Sequence, residues 1–202
     1  MKISIVSGSQ RPNSQSRKVS LYLAERLAAR SVEAGDLIDL GTGTLPMWDE
    51  SAFSSEPSPL NDAWAPLSAE LDSCDGFVCV VPEWHGMVPP AFKNFLLLCT
   101  SELAHKPGLI VSVSASLGGT YPVVELHTTG SKNNRICWIP DHVIVRGVAG
   151  VLNATPSDDE KGEAAIKGRL DHGLGLLVEY ARALRAVRES GAFDRAAYPF
   201  GM

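Results

Sequence analysis

The run Gly76–Val81 (GFVCVV) contains no polar side chain. A strand that is apolar on both faces has to be covered on both, which an antiparallel sheet with one wet face does not do. Gly108–Ser114 (GLIVSVS) has nearly the same character. Lys2–Ser7 (KISIVS), Asp36–Leu40 (DLIDL) and His142–Gly147 (HVIVRG) read as three further strands, β-branched or alternating. Longer stretches with helical spacing lie between them. Val19, Tyr22, Leu23 and Leu27 predict a helix over residues 16–30. Further helices are predicted over 61–73, 91–100 and 121–134, with Pro66 interrupting the first or delaying its start. Leu170, Leu174, Leu177, Ala181 and Leu184 form the seam of a last helix that carries Arg182, Arg185 and Glu189 on other faces. Residues 41–59 are dense in Ser, Pro and Gly and predict a long loop. Strands alternating with helices imply a parallel sheet covered on both sides. Neither a repeat nor a linker divides the 202 residues, so the expectation is a single doubly wound α/β domain with five strands, spanning residues 1–202.

Charge narrows the function. Lys and Arg total 18 against 23 Asp and Glu, a net charge of -5. That balance argues against broad binding to nucleic acid or to an anionic membrane, which needs a basic face. It leaves room for a small anion held by a local basic cluster. No apolar run approaches the roughly 20 residues of a membrane span. The opening Met-Lys-Ile-Ser-Ile-Val-Ser-Gly lacks the apolar core of a signal peptide, and the expected location is the cytoplasm. Cys74, Cys79, Cys99 and Cys137 show neither C-x-x-C nor zinc-finger spacing and are expected to be reduced and structural.

In a doubly wound sheet, ligands bind beyond the carboxyl ends of the strands, where the strand order switches. After the first strand comes Gly8-Ser9-Gln10-Arg11-Pro12-Asn13-Ser14-Gln15-Ser16, leading into a helix. Free helix-start amides and the dipole favour an anion there, and the Arg11 fork suits phosphate. An ordinary start capped by Ser14 or Ser16 is the plainer alternative. The loop is not a Walker A motif, and Gly41-Thr42-Gly43 fails as a dinucleotide fingerprint because Pro46 occupies the third glycine position. A mononucleotide with a terminal phosphate fits better.

After the third strand, Pro82-Glu83-Trp84-His85-Gly86-Met87-Val88-Pro89-Pro90 forms a stiff, shaped loop, followed by Phe92-Lys93-Asn94. It suits the edge of a planar ring, although Trp84 as half-buried core and His85 as a plain surface residue remain open. After the fourth strand, Ser114-Ala115-Ser116-Leu117-Gly118-Gly119 permits close backbone approach. No G-x-S-x-G elbow surrounds Ser114 or Ser116, which weighs against a serine hydrolase.

Together, these three segments resemble the NAD(P)H-dependent FMN reductase family of flavodoxin-like proteins. The family pattern G-S-x-R-x-x-S, then P-E-Y-N-G-x-x-P with L-K-N, then S-x-G-G, is matched in order and spacing as far as about residue 120. Trp84 stands where the pattern has tyrosine, and His85 where it has asparagine. The resemblance implies a five-stranded parallel sheet of order 2-1-3-4-5 with helices on both faces. It implies that Ser9, Arg11, Ser14 and Ser16 hold the FMN phosphate. Pro82, Glu83, Trp84 and His85 would line the isoalloxazine ring, with Ser116, Gly118 and Gly119 closing its far side. The implied activity passes a hydride from NADPH or NADH to FMN and then electrons to a small-molecule acceptor, such as a quinone, flavin or azo compound. It assigns no catalytic side chain and no metal. Relatives of this kind form homodimers or homotetramers. A flavodoxin-type electron carrier is the alternative. Lys132-Asn133-Asn134-Arg135 is either a polar helix end or a contact for a nicotinamide 2′-phosphate.

Overall fold

A computed structural model describes residues 1–43, 45–129, 131–192, 194, 197 and 198. Five parallel strands, β1 (Lys2–Ser7), β2 (Glu33–Asp39), β3 (Gly76–Pro82), β4 (Pro107–Val113) and β5 (Cys137–Val145), form one sheet in the order β2-β1-β3-β4-β5. The helices are α1 (Gln15–Ala28), α2 (Pro59–Ser73), α3 (Pro90–Leu98), α4 (Thr120–Thr128) and α5 (Glu160–Glu189). This is the flavodoxin-like doubly wound fold.

The pleat divides the core into two layers. Ile3, Ile5, Val78, Val80, Leu109 and Val111 face α1 and α5, whose Val19, Leu23, Leu174 and Leu177 are buried against them. Val6, Phe77, Cys79, Val81 and Ile110 face the other way, against Leu71 of α2, Phe92 and Phe95 of α3 and Leu126 of α4. The seam of α5 is therefore core: Leu170, Leu174, Leu177 and Ala181 are fully buried.

Several boundaries differ from the sequence expectation, each for a local reason. Pro66 does not interrupt α2, which runs through it after capping by Ser58, whose Oγ accepts the Asn61 amide at 3.0 Å. Pro66 is exposed, so the carbonyl that loses its partner one turn back can be hydrated. The loop over 41–59 contains two short helical turns, Leu40–Thr42 and Glu50–Phe53. Asn94 fastens it: its side chain accepts the Trp48 amide at 2.7 Å and donates to the Pro46 carbonyl at 2.8 Å. The helix expected over 121–134 crosses residue 130, which lies outside the described residues, and α4 has already ended at Thr128. β5 begins at Cys137 rather than His142, with a register shift opposite Gly108 and Ile110 around Pro140. An edge strand tolerates that proline because one side of its backbone need not pair.

All four cysteines are free, and burial pushes each thiol's pKa above its ordinary value. None is poised as a thiolate nucleophile. Asp75, just before β3, is gripped by Arg185 and Arg188 from the end of α5 and by the Lys2 amide. Burial pushes its carboxyl up, but the hydrogen bonds from Arg185 and Lys2 together with the charges of Arg185 and Arg188 hold it below the usual carboxylate range.

Candidate cofactor site at the strand carboxyl ends

Leaving β1, the chain passes Gly8, whose amide bonds the Val80 carbonyl at 2.8 Å, and turns into α1. Ser9 is buried, and its Oγ accepts the Arg11 amide at 3.3 Å. Ser14 is the helix cap, accepting the Arg17 amide at 3.1 Å. In both hydroxyls the oxygen is engaged and the proton remains able to donate. Ser16 differs from them. It lies in the first turn, 1% exposed, and its Oγ has no hydrogen-bond partner among the described residues. The Oγ of Ser7, at the end of β1, is similarly unpartnered. Two unsatisfied buried hydroxyls beside a helix start, with Arg11 exposed at the rim, make a donor-rich cradle.

After β3 the backbone makes a two-residue turn. Trp84 and Met87 exchange amide-to-carbonyl bonds of 3.0 and 2.9 Å. His85 and Gly86 both have positive φ, 51° and 73°, as a type I′ turn requires. Asparagine suits the first of these positions, and histidine is among the few other residues enriched in the left-handed region. His85 thus keeps the turn while changing its exposed tip. Trp84 is half-buried. Glu83 is a brace whose Oε2 accepts the Gly119 amide at 2.6 Å and the Tyr121 amide at 3.3 Å, capping α4 from a neighbouring strand.

After β4, Ser114 Oγ accepts the Ser116 amide at 3.2 Å, and the Ser116 carbonyl accepts the Gly147 amide at 3.3 Å. Gly119 sits at φ 105°, a conformation that glycine supplies at low cost. The structure brings Ser9, Arg11, Ser14, Ser16, Pro82, Glu83, Trp84, His85, Ser116, Gly118 and Gly119 to the same edge of the sheet, on the loops following β1, β3 and β4.

Three supports escaped the sequence reading. Glu125 accepts the Val88 amide at 2.8 Å and pairs with Lys93 at 2.6 Å, pinning the exit of the turn. Arg146, at the end of β5, donates Nε–H to the Leu117 and Gly118 carbonyls at 2.7 and 3.0 Å. Lys18 ties α1 to the segment after β5. The Lys132–Arg135 cluster lies instead beside the start of β5, where the His105 amide meets the Arg135 carbonyl at 3.0 Å. The cluster follows α4 at the end of the sheet away from the loops, and its Lys132, Asn133 and Asn134 line a groove that also reaches Val88 and Lys93.

A flavodoxin-like sheet with an anion-ready helix start at its switch point defines a mononucleotide-binding α/β protein. The model of the NADPH-dependent FMN reductase family matches residues 1–149, and the chain belongs to that family. An NADPH azoreductase from Bacillus sp. (strain OY1-2) is 29% identical over 153 residues, covering 73% of this chain and 78% of that protein. Among solved structures, FerB, a flavoenzyme NAD(P)H:(acceptor) oxidoreductase from Paracoccus denitrificans, superposes with a TM-score of 0.69. It is 18% identical, with 89% of this chain and 98% of that one covered. An NAD(P)H:quinone oxidoreductase from Methanothermobacter marburgensis has a TM-score of 0.62 at 14% identity, covering 87% and 98% of the two chains. These structures speak to the fold, whereas the family match speaks to the chemistry. The chain is an NAD(P)H-dependent FMN oxidoreductase rather than a flavodoxin-type carrier. No helix among the described residues is long and apolar enough to cross a membrane.

Proposed function

We propose that Ser9, Arg11, Ser14 and Ser16 hold the phosphate of FMN, and that the loops after β3 and β4 enclose its ring. The observation that carries this reading is the buried, unpartnered Ser16 hydroxyl in the first turn of α1. Its desolvation goes uncompensated unless an acceptor such as a phosphate oxygen meets it. Arg11 adds a charged donor fork at the rim, and the helix dipole adds a partial positive charge. Pro82, Trp84 and His85 stand on one side of the ring, with Ser116, Gly118 and Gly119 on the other. Glu83 serves there by holding the two loops together rather than by touching the ring with its carboxylate. FMN, when bound, supplies the redox chemistry, accepting hydride equivalents from NAD(P)H and passing electrons on. These residues would hold and orient the ring, and NAD(P)H and then a small planar acceptor of the quinone, flavin or azo class would reach it in turn. The names of the azoreductase and quinone oxidoreductase relatives support that acceptor class.

Replacing Arg11 with alanine is expected to weaken FMN binding by ~1.5–3 kcal/mol, the scale of a hydrogen bond to a charged group. Riboflavin, which lacks the phosphate, should bind both proteins equally. Fluorescence titration reads both constants, and an unchanged FMN affinity would refute the phosphate assignment.

We also propose that the enzyme is a homodimer. Met87, Leu97, Leu117, Tyr121 and Val124 are exposed on the loops, α3 and α4, with Leu117 at 85% and Leu97 at 60%. A groove of about 500 Å³ between these helices has an apolar floor of Phe53, Leu96, Leu97 and Leu126, with Lys93, Glu125 and Lys132 also among its lining. Apolar surface gathered in this way marks an association site, and a second copy would bring its own apolar face to it. Light scattering should show a dimer that Leu97→Lys converts to monomer; a wild-type monomer at micromolar concentration would overturn the proposal. The four free thiols fit a reducing cytoplasm.

A further inference from the structure

Lys18 stands on α1 next to the phosphate-loop helix start, and its own amide bonds the Ser14 carbonyl at 3.1 Å. Its ammonium pairs with no carboxylate among the described residues. It donates to the Val148 carbonyl at 2.7 Å, the Val151 carbonyl at 2.7 Å and Asn153 Oδ1 at 2.9 Å. Three N–H groups meet three neutral acceptors, which uses the full donor capacity of the group. Burial lowers the lysine's pKa from its ordinary value, and Glu163 opposes that shift from a distance.

The segment gripped in this way faces the site on its other side. The Val148 amide bonds the Ser114 carbonyl at 3.2 Å, and the Gly147 amide bonds the Ser116 carbonyl at 3.3 Å. Asn153 folds the segment on itself by donating to the Ala149 carbonyl at 2.8 Å. A continuous set of hydrogen bonds therefore runs from the helix start, through Lys18 and residues 147–153, to the loop Ser114–Gly119.

We propose that Lys18 is a positioning residue for the flavin, setting the spacing between the helix start that takes the phosphate and the loop that closes on the ring. This rests on the phosphate and ring assignments above. Lys18 acts through the Ser114–Gly119 loop and touches no part of the cofactor. Its loss should therefore loosen the ring end of the site and leave the phosphate contacts in place.

Lys18→Met keeps the apolar stem and removes the ammonium. The dissociation constants of FMN and riboflavin should both rise about tenfold, within the range of coupling between linked elements. The ratio between the two constants should stay at the wild-type value, and flavin reduction by NADPH at saturating FMN should slow. Asn153→Ala removes one exposed acceptor and should move both constants the same way by a smaller factor, which keeps the proposal testable if Lys18→Met folds poorly. A lower melting temperature with both constants unchanged would make Lys18 a structural tether and overturn the proposal. Weakened FMN binding with unchanged riboflavin binding would mean that the charge acts directly on the phosphate, which also overturns it. Failure of the phosphate assignment itself would appear separately, as Arg11→Ala leaving FMN affinity untouched.

Discussion

Gly119→Ala is expected to abolish retention of FMN through gel filtration and to lower stability by ~2–6 kcal/mol, adding backbone strain to overpacking. Gly119 has φ 105° and ψ -6°, where a residue with a Cβ is strained. A Cβ there would also lie 2.4 Å from Ile144 Cγ2 on β5. Ile144 belongs to a paired strand and cannot step aside without disturbing its register with Ser112. The alternative is for the loop to move, which breaks the 2.6 Å bond from the Gly119 amide to Glu83 and releases α4 from its cap. Both escapes open the site. Gly118→Ala is the matched control. Its Cβ would lie 2.6 Å from Glu83 Oε1, so it too presses on the brace, but Gly118 lies outside the positive-φ region and adds no backbone strain, so the stability loss should be smaller. Urea denaturation and the visible spectrum after adding FMN measure the two effects. A Gly119→Ala protein with wild-type stability and bound flavin would show that this loop conformation is wrong.

The legible part of the sequence was the part whose physics is local. β3 and β4 announced themselves because a strand buried on both faces has no polar positions to disguise it, and both lie where the runs GFVCVV and GLIVSVS placed them. The helix cap at Ser14 and the glycine-rich turn before α4 were equally local. β5 was half missed because Pro140 and Asp141 interrupt its pattern, and only pairing with β4 makes residues 137–141 a strand. α4 was read too long because the stop signal in the sequence, Gly130 directly after Thr129, was passed over in favour of the polar run that follows it. The supports of the site were invisible for a different reason. Lys18 meets its acceptors 130 to 135 residues further along, and Glu83 meets Gly119 across 36. Nothing in the local pattern of a lysine on a helix distinguishes a solvated charge from one enclosed by carbonyls. The candidate residues could be gathered from three motifs, but the bonds that hold those loops in register could not.

The same distinction separates core from site at Phe92, whose replacement by alanine should cost about 3–5 kcal/mol of stability, the usual range for a buried aromatic. Phe92 is fully buried in α3 and stacks on Phe95 with ring centroids 5.6 Å apart. Its ring also lies directly under the loop after β1, since a Cβ on Gly8 would lie 3.0 Å from Phe92 Cδ2. The aromatic ring is thus at once a core side chain and the floor under the turn proposed to hold the phosphate. Truncation should therefore do two things: lower the urea midpoint, and weaken FMN binding in the fraction that remains folded. Phe92→Leu conserves most of the volume and should cost less than ~1.5 kcal/mol. If Phe92→Ala loses stability while the folded protein binds FMN as tightly as before, the phosphate loop is held by Ser9 and the helix start alone. If affinity falls with stability, packing beneath Gly8 sets the geometry of the anion cradle. The second outcome is expected because the Phe92 ring and the Val80 carbonyl both close on Gly8, and truncating the ring leaves the turn held there by the Val80 bond alone.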